Sequence, residues 1–165
     1  MIHLGFKIDF EEENDSADYL PKLRNITHLH ESWLIDNSKF FIWQEFIKYL
    51  HLHLEHVSIL EPFYFEILEK ISKKFYTQNP KRVILESFVE LLEFEGLSSF
   101  PFVCRKCHQT IEDKVVFAKR LKPFHIGCIE LKQSFEVSLL EKLFRFHNGF
   151  ELDDEMVEEL YRIVL

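Results

Sequence analysis

The sequence predicts a mainly α-helical protein: a helical bundle with an inserted zinc-binding module and a short N-terminal β segment. Three observations predict it. From Asn37 onward, apolar residues recur at helical spacing in segments bounded by caps and prolines. One insert between those segments holds all three cysteines of the chain in a ligand-like pattern. Residues 2–10 alternate apolar and polar side chains towards their end, as a half-buried strand does. The expected division is a β segment over 1–36 and a helical domain over 37–165, with the metal module at about 100–132.

The elements follow in order. After the first strand, the acidic residues 11–18 suggest a loop, and Leu23–Leu29 suggests a second strand. Asn37 or Ser38 caps a helix whose apolar stripe is Phe40, Phe41, Trp43, Phe46, Ile47, Leu50 and Leu54. Glu61-Pro62 opens a second helix with proline in its first turn, carrying Phe63, Phe65, Ile67, Leu68, Ile71 and Phe75. Asn79-Pro80 opens a third, with Val83, Ile84, Phe88, Leu91 and Leu92, and Gly96 stops it. A fourth helix is expected at 134–147. Asp153 caps a last one with Met156, Val157, Leu160 and Val164. The insert has few large apolar residues of its own, so the ion is expected to stiffen it.

Within the insert, Cys104-Arg-Lys-Cys107 is followed after 17 residues by His125-Ile-Gly-Cys128. Each pair lets one tight turn present two side chains, and the insert brings the pairs to one ion. Cys104, Cys107, His125 and Cys128 complete a tetrahedral shell with no position for water, which implies one structural zinc rather than a catalytic one. A set of buried thiols, or a redox pair, is the alternative; no βαβ pattern surrounds these cysteines. His108 is the other histidine near a ligand, and His125 is preferred for its spacing to Cys128.

Charge is unevenly spread. The chain of 165 residues has a net charge of -8 and 18 phenylalanines. Both ends are acidic, whereas residues 70–82 hold Lys70, Lys73, Lys74, Lys81 and Arg82 with no acid. The metal segment adds Arg105, Lys106, Lys114, Lys119, Arg120, Lys122 and Lys132. From this zone Lys70, Lys73, Lys74, Lys81, Arg82, Arg105, Lys106, Lys119, Arg120 and Lys122 are the candidate contacts for nucleic-acid phosphates or an acidic partner. Ordinary solvated helix faces are the alternative.

No run of about 18 uncharged apolar residues suggests a membrane span, and the N-terminus does not read as a secretory signal. Cysteines spent as metal ligands suit a reducing cytoplasm. His51, His53, Glu55 and His56 could form a second metal site, although histidines near a helix C-terminus also suit its dipole. No phosphate-binding glycine loop, H-E-x-x-H or G-x-S-x-G occurs, so no enzyme activity is expected.

The stretch Gln78-Asn79-Pro80-Lys81-Arg82-Val83-Ile84-Leu85-Glu86, continuing into Leu91-Leu92-Glu93-Phe94-Glu95-Gly96, resembles the bacterial recombination mediator family RecO. Phe63-Tyr64-Phe65-Glu66 before it, the metal pattern after it and Phe150-Glu151-Leu152-Asp153-Asp154 near the end fit the same resemblance. The Leu23-Arg24 strand looks like the last strand of that family's N-terminal OB-fold. The resemblance covers residues 20–165. It implies an OB-fold followed by a helical domain with a zinc module, and no bond-making site. It also implies binding of single-stranded DNA, of the acidic, phenylalanine-ended tail of single-stranded-DNA-binding protein, and of a RecR-type partner. The sequence departs from the family in three respects. An OB-fold needs about five strands, so the β segment would be a shortened one. His125 stands where many members have a fourth cysteine. The net charge is acidic.

Overall fold

The computed structural model describes residues 5–13, 22–131 and 133–165. Ile2–Leu4 of the first expected strand, residues 14–18 of the expected loop, and Lys132 lie outside them. The chain forms two compact units, Met1–Glu55 and His56–Leu165. The sequence boundary was expected at 36/37; the first long helix instead packs within the first unit.

In that unit β1 (Ile8–Glu13) and β2 (Lys22–His28) pair antiparallel, with Ile8 opposite His28 and a register shift between Asp9 and Glu11. Glu11–Glu13 were expected in a loop because they are acidic. They form strand because backbone pairing needs no apolar side chains when the ladder faces water, and most of both strands is exposed. A short 3-10 helix, Ser32–Ile35, delivers buried Trp33. Helix α1 (Asn37–His53) then buries Ile42, Trp43, Phe46, Ile47 and Leu50, one stripe at helical spacing. Its cap is Asp36, one residue before the expected position. The carboxylate accepts from the N–H of Ser38 at 2.9 Å and of Lys39 at 3.3 Å, and from the Ser38 hydroxyl at 2.7 Å. The Ser38 hydroxyl, with these N–H groups, holds the Asp36 carboxyl below its usual pKa.

Gly5 closes the unit. Its carbonyl accepts from the Trp43 indole N–H at 3.1 Å, and the Trp33 and Trp43 rings meet edge-on at 5.3 Å. Gly5 has φ +81°, and a Cβ there would lie 2.6 Å from Ile47 Cγ1. Gly5→Ala therefore meets both left-handed strain and overpacking, costing about 1–3 kcal/mol. Trp33 and Trp43 are the only tryptophans of the chain and both lie in this unit. The expected result is a lower denaturation midpoint by tryptophan fluorescence; an unchanged midpoint would refute the packing described.

In the second unit α2 (Pro62–Lys74), α3 (Pro80–Phe94), α4 (Val137–Phe146) and α5 (Asp154–Val164) are joined by a three-stranded antiparallel sheet. Its strands are β3 (Lys114–Ala118), β4 (Lys122–His125) and β5 (Phe135–Glu136), in the order β4-β3-β5. Helix α3 packs against α2, α4 and α5. It buries every residue from Val83 to Val89, together with Leu91 and Leu92. The cap, the proline and the stop of α3 stand where the sequence puts them: Asn79 Oδ1 accepts from Lys81 and Arg82 N–H, and Gly96 takes φ +68°. Asp153 caps α5 by accepting from Met156 N–H at 2.7 Å. The fourth helix is shorter than expected, because Phe135-Glu136 pairs with β3 and leaves Val137 to start it.

The insert differs from expectation in having a core of its own. Phe102, Ile111, Val115, Val116, Phe117, Leu121 and Phe135 are all buried. Phe102 meets Phe144 of α4 edge-on at 4.7 Å, and Phe117 stacks on Phe144 at 5.8 Å. An apolar core thus stiffens this segment independently of any ion.

Candidate metal centre and cationic surface

Two tight turns meet at the mouth of the β3–β4 hairpin. The first is closed by the bridge Val103–Thr110, by Cys104 N–H donating to Gln109 O at 2.9 Å and by His108 N–H donating to Cys104 O at 3.0 Å. The second starts at the end of β4, where Cys128 N–H donates to His125 O at 3.0 Å and Gly127 takes φ +86°. A residue with a side chain would be strained at that φ, which accounts for the glycine. Arg105 N–H donates to Pro123 O at 2.9 Å and ties the first turn to β4.

The turns bring Cys104, Cys107, His125 and Cys128 together, with all ligand atoms within 4.8 Å of one another. Zn–S bonds of about 2.3 Å set tetrahedral sulfurs about 3.8 Å apart, so the side chains are placed to hold a metal ion. His125 Nε2 lies 3.1 Å from the Thr110 carbonyl, and Nδ1 lies 3.2 Å from Cys107 Sγ. With its proton on Nε2, donated to that carbonyl, the ring offers Nδ1 as a ligand. His108 is outside the group.

The thiols affect one another. Burial pushes the Cys104 thiol up. The N–H groups of Cys107, His125 and Lys106 and the His125 side chain more than offset this and hold it at about 5. Burial pushes Cys128 up, and its hydrogen bonds and repulsion with Cys104 and Cys107 push it further. A divalent cation removes that conflict, because it favours thiolates together.

Among the described residues, this is the only set of three or more His, Cys, Asp or Glu side chains so placed; His51, His53, Glu55 and His56 form none.

The cationic residues divide into two groups. Lys70 pairs with Glu90 at 2.5 Å, Lys74 with Glu86 at 2.6 Å, Lys81 with Glu158, and Arg82 with Asp154 at 3.2 Å. Arg82 also donates to the carbonyls of Gly149 and Phe150 at 2.9 and 3.0 Å. The Lys81 partnership lowers the Glu158 pKa. The run 70–82 holds no acid in sequence, yet α3 and α5 supply acids in space. Arg105 donates to Leu97 O at 2.5 Å. By contrast, Lys73, Lys106, Lys119 and Lys122 are exposed and make no ion pair with a described residue. Lys119 and Arg120 sit at the β3–β4 turn, where Arg120 and Leu121 both adopt left-handed φ and Arg120 N–H donates to Ile163 O at 2.9 Å.

Two participants escaped the sequence reading. The Thr110 carbonyl is a backbone group with no sequence signal. Glu86 is a buried acid among apolar neighbours on α3, whose carboxylate bonds both Lys74 and the Gly149 N–H at 2.9 Å. Beside it an open groove of about 690 Å³ is lined by Lys70, Lys74, Arg82, Glu86, Phe146 and Phe150. Both phenylalanines are largely exposed.

A family model described as RecO N terminal matches residues 1–34. The match falls on β1, β2 and the start of the 3-10 helix. The match covers 34 of the 165 residues and points towards a RecO-type protein. No match to a curated protein was found. Of the residues that carry the resemblance in the sequence, Leu23-Arg24 lies inside the matched span and the others, from Phe63 on, lie outside it. Among the described residues no helix is long and apolar enough to cross a membrane.

Proposed function

We propose that the chain is a DNA recombination and repair mediator of the RecO type. It binds single-stranded DNA and the tail of single-stranded-DNA-binding protein, works with a RecR-type partner, and helps strand annealing and recombinase loading in the cytoplasm. The observation that carries this reading is the RecO N terminal match over residues 1–34. The Cys104, Cys107, His125 and Cys128 cluster supports it, because the resemblance implies a zinc module at that place. We take the ion to be one structural zinc. Four protein donors would leave it no open position, so it would hold the two turns together rather than act on a substrate.

In this reading Lys73, Lys106, Lys119 and Lys122 meet phosphates, and the groove beside Phe146 and Phe150 takes the aromatic end of the acidic tail. Lys70, Lys74, Lys81 and Arg82 contribute less to phosphate binding than their sequence suggests, since acids on α3 and α5 already neutralise them. That pairing, with the net charge of -8, favours a second reading: a zinc-stiffened protein-interaction module without DNA binding.

Fluorescence anisotropy with single-stranded DNA and with the tail peptide, at several salt concentrations, separates the two. Under the mediator reading, replacing Lys73, Lys106, Lys119 and Lys122 by Glu lowers DNA affinity. It also flattens the log K against log salt slope by about 0.7 per lysine lost. Tail binding without any salt-dependent DNA binding would establish the second reading instead.

A further inference from the structure

We infer that Cys107 is an oxidation site: a hydroperoxide oxidises its sulfur, Cys128 closes a disulfide onto it, and the metal leaves. The inference rests on the reading of the cluster as a zinc site and adds a regulation to it.

The three sulfurs differ in access. Cys104 is fully buried, Cys128 is half-buried and Cys107 is exposed. Cys104 Sγ also accepts the His125 N–H at 3.4 Å, and its backbone is tied to Gln109 and His108. An oxidant arriving from solvent meets Cys107 first. The second sulfur must then approach, from within 4.8 Å to about 2.05 Å. Cys128 is the better placed to do so. It follows Gly127, where even an added Cβ would touch nothing within 4 Å, so its turn has room to move. Cys104, enclosed beneath the hairpin, does not.

The step balances. The Cys107 thiolate attacks the peroxide, an S–O bond forms, the O–O bond breaks and hydroxide leaves. The Cys128 thiolate then attacks the sulfenic sulfur, the S–S bond forms, the S–O bond breaks and a second hydroxide leaves. Two electrons pass from the sulfurs to the peroxide. Three sulfurs allow one disulfide only. Cys104 and His125 remain, and two donors are half a tetrahedral shell, so zinc is released. The two turns, which carry Lys106 and adjoin Lys122, then lose their common anchor. In reducing conditions a thiol reverses the reaction and zinc rebinds.

The test uses the full chain. Metal analysis after reconstitution with zinc comes first; a chain that binds no zinc refutes the zinc reading itself, and the inference falls with it. The zinc-loaded chain is then treated with hydrogen peroxide while released zinc is followed with a chromogenic chelator. The expected result is one zinc released for each disulfide formed, a peptide map joining Cys107 to Cys128, and recovery with dithiothreitol and zinc. Because Cys107→Ser itself disturbs the site, dimedone trapping on the unmodified chain identifies the sulfur oxidised first, expected to be Cys107. Zinc retained after peroxide, first labelling at Cys104, or a disulfide that includes Cys104 would each overturn the inference while leaving the zinc reading intact.

Discussion

Cys104→Ser leaves the second unit folded but strips it of metal. Cys104 is the most deeply placed of the four ligand residues, and serine offers a hard, protonated oxygen where zinc needs a thiolate. Metal content after reconstitution falls from one equivalent to a small fraction. The structural damage is confined. Hydrogen exchange rises over 104–110 and 125–129, the two turns that carry the four ligand residues, whereas β3 and Phe135 keep their protection. Those residues are held by Phe102, Phe117 and Phe144 rather than by the ion. Tryptophan emission, which reports the first unit alone, does not change. Full metal occupancy in the variant would refute the ligand assignment, and loss of protection across all of 114–136 would refute the separate apolar core.

Glu86→Ala is the more damaging change to the fold. The Glu86 side chain is 7% exposed and holds two groups, the Lys74 ammonium and the Gly149 N–H. Truncation leaves a partly buried cation and a buried donor without a partner, at a cost of about 3 kcal/mol. For a unit of this size that lowers the melting temperature by roughly 10–15 °C. Glu90→Ala is the matched control: its pair with Lys70 is more open to water, at 21% and 41% exposure, and is worth about 0.5 kcal/mol. Equal effects in the two variants would show that burial does not distinguish the pairs. In Glu86→Ala the loop at Gly149 and Phe150 also loses the acceptor of the Gly149 N–H, while Arg82 still holds its carbonyls, so amide exchange at Gly149 rises.

What was legible in the sequence was local. Asn79-Pro80 and Asp153 fix helix starts because a short polar side chain can satisfy the first free N–H groups, and Gly96 ends a helix because it accepts a left-handed φ. The grouping of Cys104, Cys107, His125 and Cys128 was legible because two paired spacings suit one ion. The rest depended on chain crossings. Lys70, Lys74, Lys81 and Arg82 look like a free basic run until α3 and α5 bring acids beside them. Val115-Val116-Phe117 carries a short strand signal, too brief to reveal the hairpin inside the metal insert. Two-residue β5 gives too little pattern to see. Glu11–Glu13 were misjudged because acidity signals solvent exposure, not the absence of strand.

Helix α3 has almost no outward side. Seven consecutive residues, Val83 to Val89, are enclosed, and so are Leu91 and Leu92. Accepted substitutions along it are governed by volume and by the bonds of Glu86, so drift at these positions is slow and carries little information about partners. Substitutions that leave the fold intact have room elsewhere: at the exposed residues of α2, at the β3–β4 turn and at Phe150.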